Sequence, residues 1–139
     1  MFRWIVGALL MAACTAAGPT IQVRSDRATY DVGDQVVVTI RNDTQDTILL
    51  EICRGRVHHT SDGQTWVANF ARSCDSNGDW RQGTRPIPPA TSGHDTLLVG
   101  SSADASLGRV VLRLRDSNGR VLDDTLSVSN TFEIRTRRP

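Results

Sequence analysis

From Gln35 to Arg41 the side chains alternate, with Val36, Val38 and Ile40 on one face and Val37, Thr39 and Arg41 on the other. A period of two is the mark of an extended strand, whose successive side chains point to opposite faces. The same alternation predicts a strand over 47–53, with Ile48, Leu50 and Ile52 on one side and Leu49, Glu51 and Cys53 on the other. It predicts another over 65–70, where Trp66, Ala68 and Phe70 align. Val110, Leu112 and Leu114 alternate with arginines ahead of the turn Asp116-Ser117-Asn118-Gly119, and Phe132 and Ile134 mark a last strand. Ile21 and Val23 mark the first. Between the strands lie Gly, Asp, Asn and Pro; Ser61-Asp62-Gly63 predicts a hairpin over 56–70.

No stretch combines helical periodicity with helix caps. About seven short strands in roughly 120 residues predict an all-β chain, a single immunoglobulin-like sandwich of about seven antiparallel strands spanning 20–136. The cysteines lie too close together for the bridge between sheets seen in antibody domains. Tyr30 with Gly33, then Val36, Val38, Ile40 and Asn42, then Ile87-Pro88-Pro89 with Gly93, and finally Ser129-Asn130-Thr131-Phe132-Glu133-Ile134 follow in an order that has a known counterpart. That order resembles small Ig-like domains of exported bacterial proteins, among them relatives of the bacterial intracellular proteinase inhibitor. The resemblance covers most of the chain and implies a fold far more than an activity.

The N-terminus changes where such a domain would work. Arg3, the apolar run from Trp4 to Met11, and Ala12-Ala13 have the three-part form of a secretory signal. The run falls well short of the ~18 residues that would span a bilayer. Met11-Ala12-Ala13-Cys14 resembles the bacterial lipobox, with Met11 where Leu is usual. The resemblance implies a signal peptide over 1–13, a lipid anchor on Cys14, and a tether over 14–19. Thr15 after the cysteine implies an outer-membrane lipoprotein facing the periplasm. Cleavage within Thr15-Ala16-Ala17 is the alternative and would release a secreted or periplasmic protein.

Export in turn settles how the three cysteines are counted. With Cys14 acylated or discarded, Cys53 and Cys74 form an even pair, and an oxidising compartment favours a disulfide between them. Closing a loop of about 20 residues would stabilise the fold by about 3 kcal/mol. A metal site with His58 and His59 lacks a close Cys-x-x-Cys pair, and neighbouring strand residues point apart.

The chain has no lysine, so Schiff-base and Ser-Lys chemistry are excluded. Without Arg3, 15 arginines face 15 acidic residues, which removes the electrostatic footprint of a nucleic-acid binder. No nucleophile elbow, metalloprotease helix or calcium loop is present, so no catalytic residue, metal or cofactor is assigned. Asp75 to Gly93 lacks periodicity and reads as a long loop, though 81–89 has room for a short edge strand. Trp80, Arg81 and Arg85 on that stretch have the composition of an interface hot spot. The expectation is a non-enzymatic module that contacts an envelope protein; oligomeric state is not legible. The family resemblance implies an alternative, a protease inhibitor presenting Arg72 or Arg81 beside the bridge. The residues 137–139 read as a solvated tail.

Overall fold

The computed structural model describes residues 20–69, 83–100 and 106–136. Among them, eleven strand segments follow one another, with no α-helix. They are β1 (Ile21–Ser25), β2 (Thr29–Asp31), β3 (Gln35–Asn42), β4 (Ile48–Glu51), β5 (Arg56–Thr60), β6 (Val67–Ala68), β7 (Thr84–Ile87), β8 (Thr91–Leu98), β9 (Leu107–Val111), β10 (Leu114–Arg115) and β11 (Phe132–Arg135). A 3-10 turn at Asp124–Leu126 lies between the last two. The sheets run β1-β3-β8, β10-β4-β7 and β2-β11-β9-β5-β6. An all-β chain with several sheets around one apolar cluster fits a β-sandwich.

Alternation explains the layers. β3 buries Val36, Val38, Ile40 and Asn42 and turns Gln35 and Arg41 to solvent. β9 and its continuation bury Val110, Leu112 and Leu114, and β11 buries Phe132 and Ile134, as the pattern predicts. Gly108 pairs with Phe132, whose ring lies so close that a Cβ on Gly108 would come 2.3 Å from Cε2. The aromatic ring thus fills the space left by a side chain missing from the strand. Gly93 likewise makes room for buried Ile87, whose Cδ1 would sit 2.6 Å from an added Cβ.

Two buried polar groups tie the corners. Asn42 donates through Nδ2 to the carbonyls of Asp46 and Ile87, both at 2.8 Å. Its Oδ1 accepts from Thr44 N at 3.0 Å, so both ends of the amide are satisfied away from water. The Tyr30 hydroxyl donates to Asp26 Oδ1 at 2.5 Å and accepts from Arg27 N, while its ring meets Phe132 edge-on at 4.8 Å.

Several expectations change. Among the described residues there are eleven strand segments, several of them short, against about seven expected. One pairing is parallel, β2 with β11, because the chain changes layer after β1 and enters the five-stranded sheet in the direction of β11. The strand expected over 47–53 stops at Glu51, and Ile52 to Arg54 form a turn. Glu51 keeps the face opposite Leu50 and is buried there, because arginines cover that side of β4. The loop expected over 75–93 holds, in its described part, β7 and the start of β8. Of the strand expected over 65–70, the described part, 65–69, is extended at Val67–Ala68; that piece pairs with β5, as the hairpin reading predicts.

Candidate functional site

The outer surface of β5 and β9 gathers basic side chains. Val57 pairs with Val110 and both are buried, so the neighbours on either side, Arg56, His58 and Arg109, point outward. His58 lies directly opposite Arg109. The hairpin turn after β5 brings Trp66 to the same surface. There the Asp62 carboxylate accepts from Gln64 N at 2.7 Å and Thr65 N at 2.8 Å. Those N–H groups hold the Asp62 carboxyl far below the usual carboxylate range. The Arg109 guanidinium carbon stands 4.1 Å from the Trp66 ring centroid, a cation–π contact.

A cleft of about 280 Å³ continues this surface beyond β5. Its floor is Val111, Leu112 and Arg113, and its origin is a matter of register. Val110 pairs with Val57 and Leu114 with Leu50, so four steps on the floor strand face seven on its neighbour. On the opposite flank Val111 bridges Val128 and Arg115 bridges Val121, again four steps against seven. Each neighbour loops out three surplus residues at the same level. One excursion is the turn around Arg54; the other is the 3-10 turn beginning at Asp124. Glu51 N donates to Arg113 O at 3.0 Å, so the ladder resumes across the first excursion.

Charge in the cleft is mainly positive, with three arginines against Asp124. Arg54 and Arg56 are exposed, and neither has an ion-pair partner among the described residues. Arg113 Nε sits 3.3 Å from Glu51 Oε2, and Arg115 Nε sits 3.2 Å from the same oxygen. Those contacts are ion pairs without hydrogen-bond alignment; the aligned bond is Arg115 Nη2 to Glu51 Oε1 at 3.5 Å. Burial lowers the His58 pKa below its usual 6.5, and the positive charges of Arg109 and Arg56 push it down further. Asp124 pulls the other way and is outweighed.

The residues singled out by sequence separate. Cys14, Arg72, Cys74, Trp80 and Arg81 lie outside the described residues, so the expected bridge and most of the expected contact loop are not placed. Cys53 lies in the turn after β4. Arg85, expected on a loop, is an exposed residue of β7 whose Nη1 donates to His94 O on β8 at 3.0 Å. It does not line the cleft. The surface default for the three histidines holds for His94 only; His58 and His59 are half-buried. No group of three or more His, Cys, Asp or Glu among the described residues is placed to hold a metal.

Sequence reading missed the basic face. Its signal was present in Arg54, Arg56 and His58 at alternate positions, and in Arg109 and Arg113 on either side of the buried Val110 and Leu112. What the sequence hides is that two separated strands lie side by side and that both loop out at one level. No protein-family model matches this chain, and no curated protein is significantly similar to it in sequence.

Proposed function

We propose that this chain is an exported, non-enzymatic binding module of the bacterial cell envelope. A lipid on Cys14 tethers it to the outer membrane on the periplasmic side, and one Ig-like domain engages another envelope protein. The Ig-like assignment draws support from the division of β1 and β2 between two sheets. It is supported also by the long return from β9 through the 116–119 turn to β11. The Cys53–Cys74 bridge belongs to the same reading, supported by the fact that the Cys53 sulfur is engaged rather than free.

The observation that carries the binding role is the basic outer face of β5 and β9. A chain of formal net charge +1 gathers Arg54, Arg56 and Arg109 there, two of them unpaired and the third held on Trp66. Arginine and tryptophan together are the residues most enriched where binding energy concentrates. A photo-crosslinking residue placed at Ala68, exposed and paired with His58 on the outer face, tests this in intact cells, with one at Arg41 on β3 as control. The expected outcome is one discrete adduct from Ala68, absent from Arg41 and lost with Arg109→Glu. Equal adducts from both positions, or none from Ala68, would overturn the assignment. The intact mass of membrane-fraction protein checks the address: acylated Cys14 and a loss of two hydrogens across Cys53 and Cys74 are expected.

A further inference from the structure

The cleft over Val111 to Arg113 is built differently from the open face beside it. The face is flat strand surface, whereas the cleft is walled by two excursions and offers apolar and cationic groups together. Val121 is 39% exposed at one edge, and Leu122 packs partly against the core. Arg54 and Arg56 stand on the other side without carboxylate partners. A volume of about 280 Å³ lies just below the ~300 Å³ at which small-molecule pockets begin, so the cleft suits one or two side chains of a larger partner.

Two unpaired guanidiniums match a carboxylate in charge and in fork geometry. The apolar edge beside them matches a neighbouring aliphatic side chain. Asp124, on the far wall, disfavours a dense polyanion and can accept an N–H from a peptide backbone. We infer that this cleft receives an acidic residue and an adjacent apolar residue from a peptide segment of the partner protein, the carboxylate lying between Arg54 and Arg56. The inference rests on the binding-module reading and names the chemistry of its partner.

Proton linkage supplies a second readout. His58 is faced by Arg56 on its own strand, by Arg109 across the ladder, by His59, and by Asp124 from the 3-10 turn. A carboxylate brought in beside Arg56 opposes those positive charges and raises the His58 pKa on binding.

The experiment uses the full chain purified in detergent and a fluorescein-labelled peptide of alternating Glu and Leu, with the Gln-for-Glu peptide as control. Vesicles of phosphatidylglycerol, against phosphatidylcholine, supply the lipid arm. Expected are binding of the Glu peptide at least tenfold tighter than the Gln peptide, and a loss of at least tenfold in Arg54→Glu/Arg56→Glu. Affinity should also fall with salt, and the His58 ring resonance should titrate at higher pH in the complex. Both arginines are exposed, so the variant should melt as wild type; Arg54→Gln/Arg56→Gln repeats the test without charge reversal.

Equal binding of the two peptides, or an unchanged double variant, overturns the inference. So does arginine-dependent sedimentation with phosphatidylglycerol vesicles when the Glu peptide does not bind, which would assign the cleft to lipid headgroups. An Ala68 adduct that persists in the Arg54→Glu/Arg56→Glu chain overturns the cleft assignment alone and leaves the module reading intact. Loss of the adduct in Arg109→Glu and Arg54→Glu/Arg56→Glu alike supports both.

Discussion

Ala90 is the one non-glycine residue, among those described, whose backbone occupies the left-handed region, at φ 58°. It is the third residue of the turn Pro88-Pro89-Ala90-Thr91, which Thr91 N closes onto Pro88 O at 3.3 Å. A turn with Pro second and a positive φ third favours glycine at that place, and an L side chain there costs about 1 kcal/mol. The conformation persists because Ala90 N donates to the carbonyl of buried Asn42 at 2.8 Å. Ala90→Gly should therefore stabilise the protein by up to about 0.5 kcal/mol, the relief of strain outweighing the greater freedom of the unfolded chain. Urea denaturation would show a higher midpoint with the same slope; a lower midpoint would refute the strain. Such a position is invisible to pattern reading, because alanine carries no turn signal of its own. The turns that do carry one, at Asp62-Gly63 and at Asp116-Ser117-Asn118-Gly119, form where the sequence puts them.

At the scale of the element, the joint between β4 and β10 rests on Glu51. Its side chain is 5% exposed and faces those of Arg115, 14% exposed, and Arg113, 47% exposed. Arg115 also donates to Gly119 O at 2.7 Å, so the same side chain fixes the turn that ends β10. Removing one member of a buried ion pair strands the charge of the other. Glu51→Ala should cost about 3 kcal/mol, the low end for such a loss because water still reaches Arg113. Glu51→Gln, which keeps an acceptor for Arg115, should cost about half as much. Equal denaturation midpoints for Glu51→Ala and wild type would remove this account. Alternation along 47–53 assigns Glu51 to the face opposite Leu50, and that face is where it lies. What a period of two leaves out is that the opposite face is covered by arginines from another strand. The strand's early end has the same origin: three surplus residues must leave the ladder, and no local sequence shows how many residues the neighbouring strand supplies.

For the whole molecule, most of the inward-facing residues were legible, since Val36, Val38, Ile40, Val110, Leu112, Leu114, Phe132 and Ile134 are buried as their alternation requires. The sheet order and the parallel pair were not, because both depend on contacts between residues far apart in the chain. Acid stability follows from the folded whole. The folded pKa of His58 lies below its ordinary 6.5, because burial and then Arg109 and Arg56 disfavour the charged ring. Above 6.5 the ring is neutral folded or unfolded, and its contribution is fully present. As pH falls below 6.5 the unfolded chain takes up the proton first, and stability is lost until the folded ring is protonated too. Asp26 adds a second loss lower down. Burial raises its pKa, yet hydrogen bonds from the Tyr30 hydroxyl and Val37 N outweigh that and lower it below 3.8, so its contribution disappears as pH falls through the acid range. Thermal melts from pH 8 to about 2 should decline in two stages, and His58→Gln should abolish the upper one; a single stage in the wild type would count against it. The division of the first two strands between sheets has a mechanical consequence. If the chain hangs from a tether ahead of Thr20 while a partner grips β5 and β9, tension enters through β1 and β2 and leaves through the five-stranded sheet. Thr29–Asp31 runs parallel to β11 in the register Thr29 to Glu133 and Asp31 to Arg135. A pull along that pair loads its bonds in shear, so that they yield together and not one after another like a zip.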